Sequence, residues 1–381
     1  MASKKLIGMG AAVLIVISVV VSLAFINGTF NYLGETRTVQ DQAGREVEIP
    51  TNIEKLVAIQ PGCLRLIVYM DAEDLVCGVE EVEKTPNARP YAFACPEMSE
   101  LPSIGPIFGG DPELIVHQDP DIIFSTYTTA DDADTLQELT GIPVVVLNFG
   151  DLNEGKQDFY DALNLLGDIL QKKARAAQLI NYVESLITDL DERTKNIEES
   201  EKEWIYVGGI GYRGAHGLES TECQYSPLEF INGKNSAQNL TTGHAFIDME
   251  QLFKWEDQGT LDYILVDGGG YSMCMSDLKN ETGKYGPANL EVVKNDPPRL
   301  IMVLPYNWYT HNYATIFIDA YYLGKRFFPE QFNDVEIAGS DNIFDDIYES
   351  FLGEGVYDEM SDFYFGGFHN ITHNEIETFA N

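Results

Sequence analysis

Apolar positions along this chain form short runs and amphipathic stretches, and one such pattern occurs twice. Residues 111–127 read DPELIVHQDPDIIFSTY, and residues 248–271 read DMEQLFKWEDQGTLDYILVDGGGY. Each copy consists of an acidic-led helical turn, a short acidic stretch, an apolar strand and a polar or Gly-rich end. Helical stretches that alternate with strands indicate a mostly parallel sheet. The repetition therefore predicts an α/β protein with two similar lobes and a cleft between them.

The first predicted lobe begins with alternating residues at 37–49, which indicate a hairpin that turns at Gly44. The pair Asp111-Pro112 favours a helix start, because Asp caps exposed N–H groups and Pro suits the first helical position. The Pro- and Gly-rich residues 83–110 indicate a loop. The other predicted elements are a helix at 63–70 and strands at 55–60, 75–80, 121–125 and 143–148.

The second predicted lobe begins with a strand at 204–208 that runs into the Gly-rich residues GGIGYRGAHG. The repeated helix and strand follow at 249–266. The remaining predicted elements are a strand at 299–304 and helices at 226–231, 311–327 and 343–352.

A long helical stretch separates the two copies. Residues 156–199 contain one Gly and no Pro, and their apolar positions are spaced three and four apart. We expect Gly167 to break this stretch, which leaves residues 172–198 as one helix of roughly 40 Å. The predicted organisation is an anchor and tether at 1–36, a lobe at 37–152, a helical linker at 153–200 and a second lobe at 201–381. The alternative is a surface helix of one large domain.

The N-terminus indicates where the protein works. Lys4 and Lys5 precede an apolar run from Leu6 to Ile26, which as a helix would measure roughly 30 Å, the thickness of a bilayer core. The lysines would stay inside, so we expect the bulk of the chain to be extracytoplasmic. An uncleaved anchor is favoured, and cleavage after Ala24 is the alternative.

Charge and cysteine content exclude several classes of protein. The net charge of −37 disfavours nucleic-acid binding, since an acidic surface releases no counterions from a polyanion. The five cysteines are odd in number and have no zinc-site spacing.

His216, His244 and His311 lie near predicted strand ends, but they form no compact ligand set, so we expect no metal site built from protein ligands. The sequence also contains no GxSxG or HExxH motif, and we expect no enzymatic activity.

The order of several motifs resembles a known family. VQDQAGREVEIP followed by KLVAI, then GDPELIVHQDPDII, INGKNSAQN, IDMEQL and LGKRFFPEQF, resemble substrate-binding proteins of ABC importers for iron–siderophores, haem and cobalamin. The resemblance spans about residues 37–350 and implies two α/β lobes joined by one long helix. It also implies that Glu113 and Glu250, at equivalent places in the two copies, dock onto the membrane permease. The last thirty residues have no counterpart in the family.

Candidate ligand-binding residues cluster where predicted strands end, because ligands of open parallel sheets lie beyond the carboxyl ends of the strands. Aromatic rings there can stack on a flat chelate, and a guanidinium can hold an anionic oxygen in bidentate fashion. The predicted ligand-binding residues are Arg65, Tyr127, Tyr212, Arg213, His216, Tyr271, Tyr306, Trp308 and Tyr309.

The sequence therefore predicts a monomeric extracytoplasmic receptor. We expect it to capture an iron(III)–siderophore-type chelate in the inter-lobe cleft, with no cofactor of its own, and to deliver it to an ABC permease. The alternatives are a receptor for cobalamin, haem or a metal oxyanion, a surface enzyme that uses the same cleft, and a structural protein without a ligand.

Overall fold

The structure is a computed structural model that describes residues 35–85, 88–339 and 342–379. The predicted N-terminal membrane helix lies outside these residues. Among the residues described, no helix has both the length and the apolar character needed to cross a membrane.

Within this part of the chain, strands and helices alternate as the sequence predicts. The strands are β1 (Thr36–Gln40), β2 (Glu46–Pro50), β3 (Leu56–Ile59), β4 (Val76–Gly78), β5 (Ile122–Thr126), β6 (Val144–Leu147), β7 (Trp204–Gly208), β8 (Ser220–Glu222), β9 (Lys234–Asn235), β10 (His244–Phe246), β11 (Tyr263–Asp267), β12 (Leu300–Val303) and β13 (His369–Asn370). The α-helices are Cys63–Tyr69, Pro90–Ala94, Pro112–Gln118, Ala130–Thr140, Lys156–Ile169, Lys173–Thr194, Ser226–Phe230, Met249–Asp257, Tyr271–Leu278, Glu291–Lys294, Tyr313–Phe327, Ile343–Leu352, Tyr357–Phe363 and His373–Thr378.

The described residues form two compact units. The first comprises residues 35–63, 75–82 and 101–148, and the second comprises residues 64–74, 83–100 and 149–379. This division differs from the predicted boundaries, because two segments from the first third of the chain group with the second unit.

The first unit is built on a parallel sheet with strand order β4-β3-β5-β6. Its strands are short apolar runs because both faces of the sheet are buried. Val57, Ile123 and Val144 from neighbouring strands pack with Ile115 and Ala133 from two helices. The hairpin β1–β2 turns at Gly44 as predicted, with a φ of 82° there.

The second unit contains a sheet with strand order β13-β12-β11-β7-β9. Strands β9, β7, β11 and β12 run parallel, and β13 is antiparallel to β12 at one edge. The parallel strands therefore place their carboxyl ends along one edge, where the sequence predicts ligand-binding residues.

The long helical stretch breaks three residues later than predicted. Helix Lys156–Ile169 ends before Gln171, which has a left-handed φ of 58°, and the next helix, Lys173–Thr194, has 22 residues and a length of roughly 33 Å. Gly167 lies inside the first helix, and a Cβ there would lie 2.9 Å from the Cβ of Ala176 in the next helix. This glycine permits close helix packing and is not a helix break.

One other prediction needs correction. The predicted loop 83–110 contains helix Pro90–Ala94, which begins with Pro at its first position. The final thirty residues, which have no counterpart in the resembled family, form helix Tyr357–Phe363, β13 and helix His373–Thr378. These elements belong to the second unit.

Candidate functional site

A buried carboxylate organises the carboxyl end of β11. Asp267 is fully buried, and its side chain accepts hydrogen bonds from the backbone N–H of Gly269 at 2.8 Å and of Tyr306 at 2.7 Å. Burial raises the pKa of Asp267 to about 7, although both hydrogen bonds act in the opposite direction. Asp267 thereby ties together the segments that follow β11 and β12.

The three glycines after Asp267 differ in how much space a side chain would have. A Cβ at Gly270 would lie 2.3 Å from the carbonyl oxygen of Gly209 and 2.4 Å from that of His216, so only glycine fits. A Cβ at Gly268 would lie 3.1 Å from Cδ1 of Tyr364. At Gly269 the nearest atom outside its chain neighbours is Oδ1 of Asp267 at 3.0 Å, and this residue faces a cavity.

Arg65 holds the segment after β12 in place. Its guanidinium is 1% exposed and donates to the backbone oxygens of His311 and Trp308, the latter at 2.8 Å, and to Oδ1 of Asn312 at 2.7 Å. We expected Arg65 to meet the ligand, but in this structure its donors face protein acceptors. Arg65 is therefore a positioning residue.

Trp308 is presented at the cavity by a tight turn. Tyr309 and Thr310 have left-handed φ values of 53° and 81°, and the N–H of Trp308 donates to the oxygen of Thr310 at 2.9 Å. The buried Arg89 lies 4.8 Å from the centre of the Trp308 ring and forms an ion pair with Glu83 at 2.8 Å. This cation–π contact fixes the ring.

Parts of these segments line a half-open cavity of about 330 Å³ in the second unit. Its lining residues are mostly small or aromatic, with one methionine and few polar side chains: Ala88, Ala215, Gly268, Gly269, Gly270, Ser272, Met273, Trp308, Phe363, Tyr364 and Phe365. Volume and lining match a small-molecule site, which is typically concave and mostly apolar.

Two predicted tyrosines do not line this cavity. Tyr271 is 2% exposed and donates from its hydroxyl to Glu375. Tyr306 is equally buried, and its hydroxyl lies 3.1 Å from Oγ of Ser226. Both rings belong to the packed interior, which corrects the expectation that they stack on the ligand.

The Gly-rich loop after β7 reaches the cavity through Ala215, which lies between Arg213 and His216. The exposed Tyr212 ring stacks on His244 at 4.2 Å, and the Arg213 guanidinium lies 5.6 Å from its centre. Partial burial lowers the pKa of His244, and the neighbouring His216 lowers it further. Arg213 is thus an exposed cation on a loop that borders the cavity.

The predicted site residues of the first unit lie on its own sheet and its flanking helix. Tyr127 directly follows β5, is 61% exposed and has a left-handed φ of 50°. Glu113 is exposed on helix Pro112–Gln118, whose first turn is capped by Asp111 as predicted. In the second unit, Glu250 occupies the equivalent place and pairs with Lys254 at 3.4 Å.

Several cavity residues are not predicted from the sequence, namely Ala88, Ser272, Met273 and Phe363–Phe365. The run FYFGG at 363–367 was the available signal, since two glycines after three aromatic residues indicate a tight exposed turn. Among the residues described, no group of three or more His, Cys, Asp or Glu side chains is arranged to hold a metal ion.

Comparison with known proteins gives a consistent result. The profile of the family described as "Periplasmic binding protein" matches residues 56–281, more than half of the chain. The chain is 21% identical to the molybdate-binding protein MolA of Haemophilus influenzae over 332 residues, which are 83% of this chain and 90% of that protein.

Solved structures share the fold. MolA bound to molybdate superposes with a TM-score of 0.65 at 20% identity, covering 84% of this chain and 98% of that one. A periplasmic solute binding protein from Veillonella parvula gives 0.65 at 19% identity, covering 87% and 97%. The petrobactin-binding protein YclQ from Bacillus subtilis gives 0.51 at 16% identity, covering 78% and 99%. The predicted α/β class with two parallel-sheet lobes is confirmed.

Proposed function

Because the chain belongs to the periplasmic binding protein family, we propose that its ligand is a metal chelate of the iron(III)–siderophore class. Proteins of this family work outside the cytoplasm and bind substrates for ABC importers, and they do not catalyse reactions. The chain is accordingly the substrate-binding protein of an importer and not an enzyme. What remains to be identified is the chemistry of its ligand.

The observation that carries the proposal is the aromatic cavity at the carboxyl ends of β11 and β12. The ring of Trp308 and the aromatic run 363–365 offer broad apolar surfaces, and Gly269 lets a ligand approach the backbone. A chelate brings its own metal donors and presents an organic body to such surfaces. Arg213, exposed on the bordering loop, is our candidate for the cation that attracts an anionic chelate.

A metal oxyanion is the second candidate, because MolA, a relative over most of the chain, is named for molybdate. A small tetrahedral anion would use hydrogen-bond donors near the start of helix Tyr271–Leu278, such as Ser272, and would leave the aromatic surfaces uncovered. The size and lining of the cavity therefore favour the chelate.

Delivery to a permease requires a docking surface. We propose that Glu113 and Glu250 provide it, since each lies in the first turn of the helix that opens one copy of the repeat. Both helices carry their acid near solvent, where a basic partner surface can reach it.

A thermal-unfolding screen of the full chain tests the ligand class. The probes are iron(III)–catecholate, ferrioxamine B, haemin, cobalamin, molybdate and tungstate. A ligand present at 100 times its dissociation constant adds roughly 2.7 kcal/mol of stability. We expect an iron(III) chelate to raise the unfolding midpoint; stabilisation by molybdate or tungstate alone would instead establish the oxyanion receptor.

A further inference from the structure

We infer that the C-terminal segment 357–379 determines ligand specificity by supplying an aromatic wall, defined as Phe363, Tyr364 and Phe365, that selects chelates with planar aromatic groups such as catecholates. The inference rests on the proposed function. The family match ends at residue 281, so this wall lies outside the matched region.

The segment is fastened to the edge of the second sheet. His369 and Asn370 pair with Met302 and Ile301 of β12, and the N–H of Ile371 donates to the oxygen of Leu300 at 3.0 Å. The helix that follows begins with a capping box between Thr372 and Glu375. The wall therefore rests on the core sheet and not on a loose terminus.

The turn after the wall has an uncommon backbone conformation. Phe365 has a left-handed φ of 54°, which bulky residues rarely adopt, and Gly366 and Gly367 follow at 91° and 68°. The N–H of Gly366 donates to Ser361 and that of Gly367 to Tyr364, both at 2.9 Å. A bulky residue persists in this conformation when its surroundings determine it, and such residues concentrate at ligand sites.

Side-chain contacts fix Tyr364 and Phe365 of the wall. The buried Tyr364 donates from its hydroxyl to the oxygen of Ala88 at 3.0 Å and packs against Gly268. The Phe365 ring stacks on Tyr271 with 4.3 Å between ring centres, and the Tyr271 hydroxyl donates to Glu375. His369 also lies 2.8 Å from Glu375. The wall is thus preorganised, which reduces the entropy lost when a ligand binds.

Two rings of the wall remain open to the cavity. Phe363 and Phe365 are 48% and 47% exposed although both line it together with Trp308. Aromatic rings that line one cavity can pack against the aromatic rings of a ligand in offset-stacked or edge-to-face arrangements. A catecholate chelate provides such rings, whereas a hydroxamate chelate or a bare oxyanion does not.

Binding measurements on full-length variants test the wall. The probes are iron(III)–catecholate and ferrioxamine B, an iron(III) hydroxamate without aromatic rings. We expect Phe363→Ala and Phe365→Leu to weaken catecholate binding about 10-fold or more and to change ferrioxamine B binding less than about 3-fold. Phe253→Ala is the matched control, because Phe253 is a half-buried aromatic residue of the same unit outside the cavity.

Phe365→Leu retains an apolar side chain of similar size, and the unfolding midpoint of each variant verifies that it is folded. If both folded variants bind catecholate with wild-type affinity, the inferred role of the aromatic wall is refuted, and the proposed function is unaffected. Equal losses for both iron(III) probes would also overturn it, since the effect would not depend on aromatic rings. If the wild-type protein binds neither chelate and binds molybdate, the proposed function fails, and the inference fails with it.

Discussion

The two copies of the repeated helix–strand pattern are alike where the strand begins and different where it ends. Asp121 directly precedes β5, and its side chain accepts from the N–H of Lys55 at 2.9 Å, beside the start of β3. Asp262 directly precedes β11 and accepts from the N–H of Trp204 at 2.8 Å, at the start of β7. In each unit the same residue type aligns two neighbouring strands.

The strand ends differ in chemistry. In the first unit, the hydroxyl of Thr126 donates to the backbone oxygen of Pro61 at 2.7 Å, and that of Thr128 donates to the backbone oxygen of Thr126 at 2.9 Å. The side-chain hydroxyls at this strand end are therefore bonded to nearby backbone. In the second unit, Asp267 stands at the place of Thr126 and holds the segments around a cavity. The residues that precede β5 and β11 are alike and align the strands of each sheet. The residues at the ends of these strands differ, and this difference distinguishes the turn of the first unit from the cavity of the second.

The largest expected effect tests whether the likeness of the two copies extends to docking. Glu113→Arg combined with Glu250→Arg should abolish uptake, because the charge of both proposed docking residues is reversed. Ligand affinity should stay unchanged. Uptake is measured as transport of iron-55 chelate into cells that contain the cognate permease. Ligand affinity is measured by calorimetry.

The control for docking is Glu138→Arg combined with Glu281→Arg, which changes the charge equally at exposed positions. Normal uptake by the Glu113/Glu250 variant, or equal loss in the control, would remove the docking proposal.

The second effect concerns the glycines that distinguish the end of β11. Gly270→Ala should destabilise the protein by about 3 kcal/mol, because its Cβ meets two backbone oxygens, whereas Gly269→Ala should cost about 1 kcal/mol. Urea unfolding measures both free energies. Equal costs at the two positions would show that Gly269 is as tightly packed as Gly270.

The third effect compares how much a residue after β12 and a residue after β5 contribute to ligand affinity. Trp308→Ala should weaken chelate binding by about 2 kcal/mol, roughly 30-fold, because a fixed aromatic face is lost. Tyr127→Ala, at the end of β5, should change affinity less than about 3-fold. Calorimetric titration of both variants provides the test, and a larger loss for Tyr127→Ala would place the main contact in the first unit.

A further effect is a pH dependence specific to the second copy. Burial raises the pKa of Asp267 from 3.8 to about 7, so between these values the folded state holds a proton that the unfolded state has lost. Stability should therefore fall as pH rises through this window, by at most about 1.4 kcal/mol per pH unit. Asp267→Asn should remove this contribution, and Thr126→Val should not. An unchanged slope in Asp267→Asn, measured by urea unfolding from pH 4.5 to 7.5, would refute the assignment.

Much of the fold is predictable because its signals are local. The run LVAI predicts a doubly buried strand, and Asp111 followed by Pro112 predicts a capped helix, because each depends on adjacent residues. Gly167 was misinterpreted because its role depends on Ala176 in the next helix, a packing contact that periodicity does not reveal.

The site was only partly predictable because long-range contacts decide which side chains face a cavity. Trp308 was predicted and lines it. Arg65 and Tyr271 also follow predicted strand ends, but their partners, such as Asn312 and Glu375, lie far away in sequence and turn them inward. The aromatic wall lies some sixty residues beyond the strand that it approaches, so the position of strand ends did not indicate it.

The most direct test of the central claim is a crystal structure of the protein with bound iron(III)–catecholate, with anomalous data collected at the iron edge. The account predicts an iron peak beside the cavity bounded by Gly269, Trp308 and Phe365, with a catechol ring against the aromatic wall. An iron peak at another place, with this cavity unchanged and filled only by water, would contradict it.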